Sequence, residues 1–421
     1  MRPGALRAVP NRHTAVKKRR ESGGLARPAA PRYKQYAPQP TRLGLRRFLR
    51  HLLSFCAVPA LVLLLGEAVL QWSGEIWPVE RVLAYQRTHP EALFLRATDQ
   101  VFYAYKYRAI VERRPRILVA GSSRTMKFRA EMFGDRARDF YNAGGILNSL
   151  RDAHDLAMLL PTSRAPDVLL LGVDLWWLND LVAPTYRFET EIAKGTGIDE
   201  HVLAMRWLIA QPRSFAAEAL SIVRGGSPAI GISARERGGG FRADGSFKSR
   251  VAAPQTERDW RFVDRETPPI IDRVRGAYAN FPPAERVSSE RLALLDRTLA
   301  RLQQRHVAVV GYLPPFASEV VAALRNDPRH ARFWAEFRRA VPEVFRRHGF
   351  ALVDASETSA FGMDDRAMSD GEHAEETFHV HVLKALLGDD RLSEVLPGAR
   401  AVLDRAIASP RTNYWEPDLG S

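Results

Sequence analysis

Arg116-Ile117-Leu118-Val119-Ala120-Gly121-Ser122-Ser123-Arg124-Thr125 is the stretch on which the reading of this chain turns. Four consecutive apolar residues, 117–120, read as a strand buried on both faces of a parallel sheet. Gly121 stands where the backbone must turn sharply, which a residue without a Cβ tolerates. Ser122 and Ser123 then open a segment, 124–133, that reads as helical. A serine at a strand-to-helix turn lies at the sheet edge, beside unpaired N–H groups of a helix start. Its hydroxyl is a candidate nucleophile for an ester. Equally, a serine here caps the helix.

Outward from this stretch, strand-like and helix-like segments alternate. Strands are expected at 139–142, 167–173, 307–313 and 350–354. Helices are expected at 150–160, 290–304 (Leu292, Leu295, Leu299, Leu302), 333–347 and 375–387. Such alternation means an α/β fold with a parallel sheet of about five strands, covered on both faces. The connection from Trp176 to Arg305 is too long for an ordinary crossover. Within it, residues 199–223 read as helical, and the glycine-rich segment 225–249 reads as a loop or mobile flap over the site.

The formal net charge of +14 is concentrated at one end. Residues 1–50 hold fourteen Lys and Arg against Glu21 alone, or +13, whereas the other 371 residues hold 48 basic and 47 acidic side chains. A nearly neutral body argues against nucleic acid as a partner. The tail lacks a hydrophobic pattern and reads as disordered. Leu52–Leu70 is long and apolar enough for a membrane helix, with Arg46, Arg47 and Arg50 before it and Trp72 and Trp77 after it. The basic flank keeps the tail in the cytoplasm, and the long prefix without a cleavage site favours an uncleaved anchor over a signal peptide. The expectation is a single-pass protein of the bacterial inner membrane with its domain in the periplasm. Cys56, the one cysteine, lies inside the anchor and reads as a packing residue. The exported body therefore relies on an ordinary hydrophobic core rather than on disulfides.

Two further segments carry chemistry. Ser369-Asp370-Gly371-Glu372-His373 sets Asp370 and His373 three apart around one turn, so the carboxylate can orient the imidazole. Tyr141-Asn142-Ala143-Gly144-Gly145 follows the second strand and offers unobstructed N–H groups to an oxyanion. Loops after parallel strands share one sheet edge, so Ser123 and His373 are expected together. No P-loop and no Gly-x-Gly-x-x-Gly is present, and His379 and His381, two apart on a helix, do not face one another as metal ligands would. No cofactor and no metal is therefore expected.

Gly-x-Ser after the first strand, Asn-x-Gly after the second and Asp-x-x-His before the last helix together resemble the blocks of the SGNH (GDSL-like) hydrolase superfamily. The resemblance spans roughly residues 113–390. The Gly-Ser-Ser-Arg form and the anchor look most like its membrane-anchored branch, which includes alginate O-acetyltransferase-like proteins and the teichoic-acid D-alanyl transfer protein. It implies a three-layer α/β/α fold, with Ser123 as nucleophile and Asp370 and His373 completing a triad. It also implies an oxyanion hole with Gly144, Gly145 being the alternative. Where the family often has Gly-x-Asn-Asp, this chain has Gly172-Val173-Asp174, so either Asn148 or Asn179 substitutes as donor, or two backbone donors suffice, or activity is low. Trp176, Trp177 and Tyr312 would contact substrate. The implied activity is O-acyl transfer or deacylation on an envelope or exported glycan, with a membrane O-acyltransferase as acyl-donating partner. The alternative is an inactive scaffold in a polysaccharide-synthesis complex. On this reading the chain divides into a cytoplasmic tail (1–50), an anchor (51–72), connecting helices (73–112), the α/β domain (113–390) with an insertion (176–289), and a C-terminal tail (391–421).

Overall fold

The structure is a computed structural model that describes residues 42–98, 101–160, 165–183, 188–195, 197–225, 228–249, 269–409 and 415–419. The tail expected to be disordered lies, up to residue 41, outside the described residues. The chain falls into two compact units, Met1–Val58 and Pro59–Ser421. Helix α1, Arg42–Ser73, carries Gly44–Ser73 as a stretch apolar enough to cross a membrane. Cys56 is exposed on it and does not pack as expected.

In the second unit, β1 (Ile117–Ala120), β2 (Phe140–Asn142), β3 (Val168–Gly172), β6 (Ala308–Leu313) and β7 (Ala351–Asp354) form one parallel sheet in the order β2-β1-β3-β6-β7. Leu118 is in register with Tyr141 on one side and Leu169 on the other. Successive strand residues enter opposite cores, as a period of two requires. Leu118, Ala120, Leu169, Leu171 and Val309 join one core with α4 (Leu150–Leu159), α10 (Ser289–Gln304) and α12 (Pro328–Arg347). Ile117, Val119, Leu170 and Val310 join the other with α13 (Glu376–Leu386) and α15 (Ala399–Ala408). Two buried faces explain why these strands are continuous apolar runs rather than alternating ones.

Three expectations change. The "connecting helices" α2 (Val79–Thr88) and α3 (Phe102–Arg113) are core elements, because Val82, Leu83, Tyr105 and Ile110 are buried in the first core. The "C-terminal tail" contains α14 (Asp390–Val395) and α15, with Leu392, Leu396 and Leu403 buried in the second. Residues 229–249 form no loose flap. They fold into α8 (Ile232–Arg237) and a hairpin of β4 (Gly240–Phe241) and β5 (Phe247–Lys248). Phe241 exchanges backbone hydrogen bonds with Phe94, and the Phe247 N–H donates to the Met126 carbonyl. Arg242 of the hairpin pairs with the buried Glu376, which also holds Arg129, and Ser249 bridges to the buried Lys127–Glu375 pair. Glycine content signalled tight packing here. A Cβ on Gly245, at φ +82°, would stand 2.2 Å from the Asn142 carbonyl.

The remaining helices named below lie in the insertion: α5 (Phe188–Ala193), α6 (Ile198–Ala210), α7 (Pro212–Arg224) and α9 (Ile270–Gly276). Pro212 divides the helical run expected at 199–223 into two, as its missing N–H requires.

Candidate active site

The strand order reverses between β1 and β3, and the crevice at their carboxyl ends is the expected ligand site of an open α/β sheet. The turn after β1 begins at Gly121, φ +156°, where a Cβ would meet the Thr125 methyl at 2.3 Å. Residues 123–125 then make a single 3-10 turn instead of the helix expected over 124–133. Ser122 is its cap, buried, its Oγ accepting from the Arg124 N–H at 3.2 Å. Ser123 is exposed. The two serines therefore divide the alternatives between them, one capping and one free to react.

Ser123 Oγ lies 2.7 Å from His373 Nε2, and His373 Nδ1 lies 2.7 Å from Asp370 Oδ2. Asp370 is itself fixed, because its Oδ1 accepts the N–H groups of Glu372 and His373, each at 2.8 Å. Burial works against a charged His373, but the Asp370 carboxylate outweighs it and pushes the imidazole up to about 9. Burial likewise works against an ionised Asp370, yet His373 and the two N–H donors bring it down to about 2. The three residues thus form a hydroxyl–imidazole–carboxylate relay, the arrangement by which an imidazole deprotonates a serine for attack.

A cleft of about 210 Å³ opens beside Ser123, lined also by Asn148, Trp176, Trp177, Arg291 and Glu372. The Ser123 N–H, first in its 3-10 turn, has no hydrogen-bond partner among the described residues. Asn148 gives one amide hydrogen to the Tyr103 hydroxyl at 2.6 Å and retains a second. Both residues line the cleft.

Several expected roles fall to other groups. The Gly144 N–H donates to Asn142 Oδ1 at 2.7 Å, and the Gly145 N–H donates to the Gly121 and Ser122 carbonyls. Neither faces an oxyanion. Gly144 is required for space, since a Cβ would stand 2.5 Å from Thr125 Oγ1. Asn142 Nδ2 donates to the Thr125 and Phe128 carbonyls, so the Asn-x-Gly segment splints the serine turn. Asn179 is committed to the Pro282 carbonyl and the Leu181 N–H. Tyr312 points into the opposite core against Phe128 and does not reach the cleft. Trp176 and Trp177 line the cleft but are only 7% and 1% exposed, so they are wall rather than open stacking platforms.

Asp174 is explained by a residue whose role the sequence left unread. Arg124 is fully buried. It donates from Nη1 to Asp174 Oδ1 at 2.9 Å, from Nε to the Glu372 carbonyl at 2.9 Å, and from Nη2 to the carbonyls of Pro314 and Pro315. One guanidinium fork thereby ties the loops after β1, β3, β6 and β7 into one edge, a use of fixed donor geometry that lysine cannot reproduce. Burial pushes the Asp174 carboxyl up, opposed by the Arg124 charge. The signal was present in Gly-Ser-Ser-Arg, where the arginine follows the nucleophile candidate. Glu372, paired with Arg273 at 2.7 Å, was likewise passed over between Asp370 and His373.

Comparison of the chain with family models, with curated proteins and with solved structures finds no match.

Proposed function

We propose that this protein is a membrane-anchored serine acyl-ester enzyme of the SGNH type, acting outside the cytoplasm on a glycan. The observation that carries the reading is the Ser123–His373–Asp370 relay, with both links at 2.7 Å, at the carboxyl edge of the sheet beside an open cleft. Neutral His373 accepts the Ser123 proton as Oγ bonds to the acyl carbon. The Ser123 N–H and the spare Asn148 hydrogen meet the oxyanion. Collapse releases the first alcohol, which takes the proton from His373. An acceptor hydroxyl or water then repeats the sequence in reverse and frees the serine. Transfer to a sugar hydroxyl, with the acyl group delivered by a membrane O-acyltransferase, is the reading that the anchor favours.

The full chain in detergent, assayed with a chromogenic acetyl ester, tests this. Ser123→Ala and His373→Ala should each abolish turnover, and the double variant should be little worse, since such residues act as a unit. Asn148→Ala should lower kcat by roughly 100-fold, as removal of an oxyanion donor does. The occupied Gly144 N–H and the Arg124-paired Asp174 favour one other reading, a scaffold that keeps the fold without the reaction. A folded wild type that never acylates Ser123, with ester or with acyl-donating membranes, selects that reading.

A further inference from the structure

Among the described residues, more than half of the large hydrophobic residues exposed outside α1 sit on one helical hairpin, α6 and α7. On α6, Ala204 and Leu208 face inward and are buried against Val69 and Leu70 of α1. The contact is close, since a Cβ on Gly66 would stand 2.7 Å from the Met205 sulfur. Glu67 Oε2 meets His201 Nε2 at 2.6 Å on the same seam. The outward face is apolar as well: Ile198, Val202 and Ile209 are exposed at helical spacing, with Ile198 82% exposed. α7 adds Leu220 and Val223, the latter also 82% exposed. With apolar residues on both its inward and outward faces, and Asp199, Glu200, His201 and Arg206 as its polar residues, α6 exposes more apolar surface than a helix against water does.

What covers this face follows from the helix it adjoins. Gly44–Ser73 is 30 residues long, about 45 Å at the α-helical rise. Arg46, Arg47 and Arg50 hold its first turns in one headgroup layer, and ~30 Å of hydrocarbon, about 20 residues at the helical rise, then ends near Leu70, so the turn from Gly66 lies at the far acyl boundary. α6 packs on that turn. Arg206, Arg213 and Arg224 stand among the apolar residues and make no ion pair among the described residues. Apolar side chains interspersed with arginines, at this depth, are the composition of an interfacial helix.

We propose that the Ile198–Arg224 hairpin is seated in the interfacial layer of the bilayer beside α1. Ile198, Val202, Ile209, Leu220 and Val223 enter the acyl boundary, and Arg206, Arg213 and Arg224 meet lipid phosphates. The membrane thus holds the α/β domain by two attachments, a crossing helix and a surface hairpin, and fixes its orientation rather than only tethering it.

The test uses the full chain, one copy per nanodisc of phosphatidylglycerol and phosphatidylcholine, on a Cys56→Ser background. Single variants Leu61→Cys, Val202→Cys, Val223→Cys and Met158→Cys are spin-labelled, and collision with oxygen is compared with collision with a water-soluble nickel chelate. Leu61 reports the anchor and Met158 the aqueous surface. The oxygen-to-nickel ratio at 202 and 223 should be severalfold above that at 158 and between 158 and 61. Ratios equal to that at 158 would overturn the proposal while leaving α1 in place, and would assign the face to a protein partner. Labels shielded from both agents would mean that another part of this chain covers the face and would overturn it as well. A water-like ratio at 61 would remove the anchor and with it the proposal. Melting temperatures within a few degrees of the parent confirm that each variant is folded.

Discussion

At the scale of single residues, the charge state of His373 sets the terms. An imidazole pushed up to about 9 is protonated at neutral pH, and the attack needs it neutral. kcat/KM for the chromogenic ester should therefore rise with pH along a limb near 9. In Asp370→Asn that limb should move toward ~6.5, the unperturbed value, with a lower plateau. An unmoved limb would mean that another group titrates. The same shifts carry a stability term. The folded pKa of His373 lies above its unfolded value, so this stabilisation is complete below ~6.5 and is lost as pH rises through about 9. Asp370 is depressed, so its share is present above ~3.9 and is lost as pH falls toward about 2. The melting-temperature gap between wild type and Asp370→Asn should be widest between those limits and close on either side. Arg124 and Asp174 make a second residue-scale case. Breaking a buried pair costs roughly 3–5 kcal/mol because it strands one charge, and Arg124→Met should show a loss of that order in urea unfolding. Asp174→Asn should not raise activity, because the carboxylate is buried against Arg124 and does not line the cleft.

At the scale of elements, the hairpin of residues 240–249 governs the shape of the serine turn from behind. Its backbone reaches Asn142 and Met126, and Asn142 in turn holds Thr125 and Phe128. Gly245→Ala forces a Cβ against the Asn142 carbonyl at a positive φ. It should destabilise by more than about 1 kcal/mol, as residues forced into unsuitable backbone angles do, and reduce turnover with it. Limited proteolysis should leave 229–249 intact in the wild type and open it in Glu376→Gln, which weakens the clamp to Arg129 and Arg242. Early cleavage of the wild type within 229–249 would return this segment to the role of a mobile lid.

At the scale of the molecule, the asymmetry of charge around α1 carries a prediction of topology. Fourteen basic side chains precede the apolar run, and the remaining chain is nearly neutral. Positive residues remain on the cytoplasmic side of a membrane helix. Alkaline phosphatase fused to the C-terminus should therefore be active in whole cells. A stable but inactive fusion would place the cleft in the cytoplasm and remove an exported glycan as its substrate.

Apolar runs between turn signals were sufficient, from sequence, to place β1, β3 and β6 within one residue. A doubly buried strand has no other composition open to it. Ser123, Asp370 and His373 were also legible, because sheet-edge loops bring strand-end motifs together whatever the intervening length. The order of the strands, and the burial of α2, α3 and α15, depended on contacts between segments distant in the chain. So did the fate of each N–H group. Gly144 had the composition of an oxyanion donor, yet Asn142 two residues away claims its hydrogen. Arg124 had the composition of a surface cation, yet three other loops converge on it with carbonyls and one carboxylate. A sequence carries donors and acceptors one by one, and only the folded backbone decides which of them are already paired.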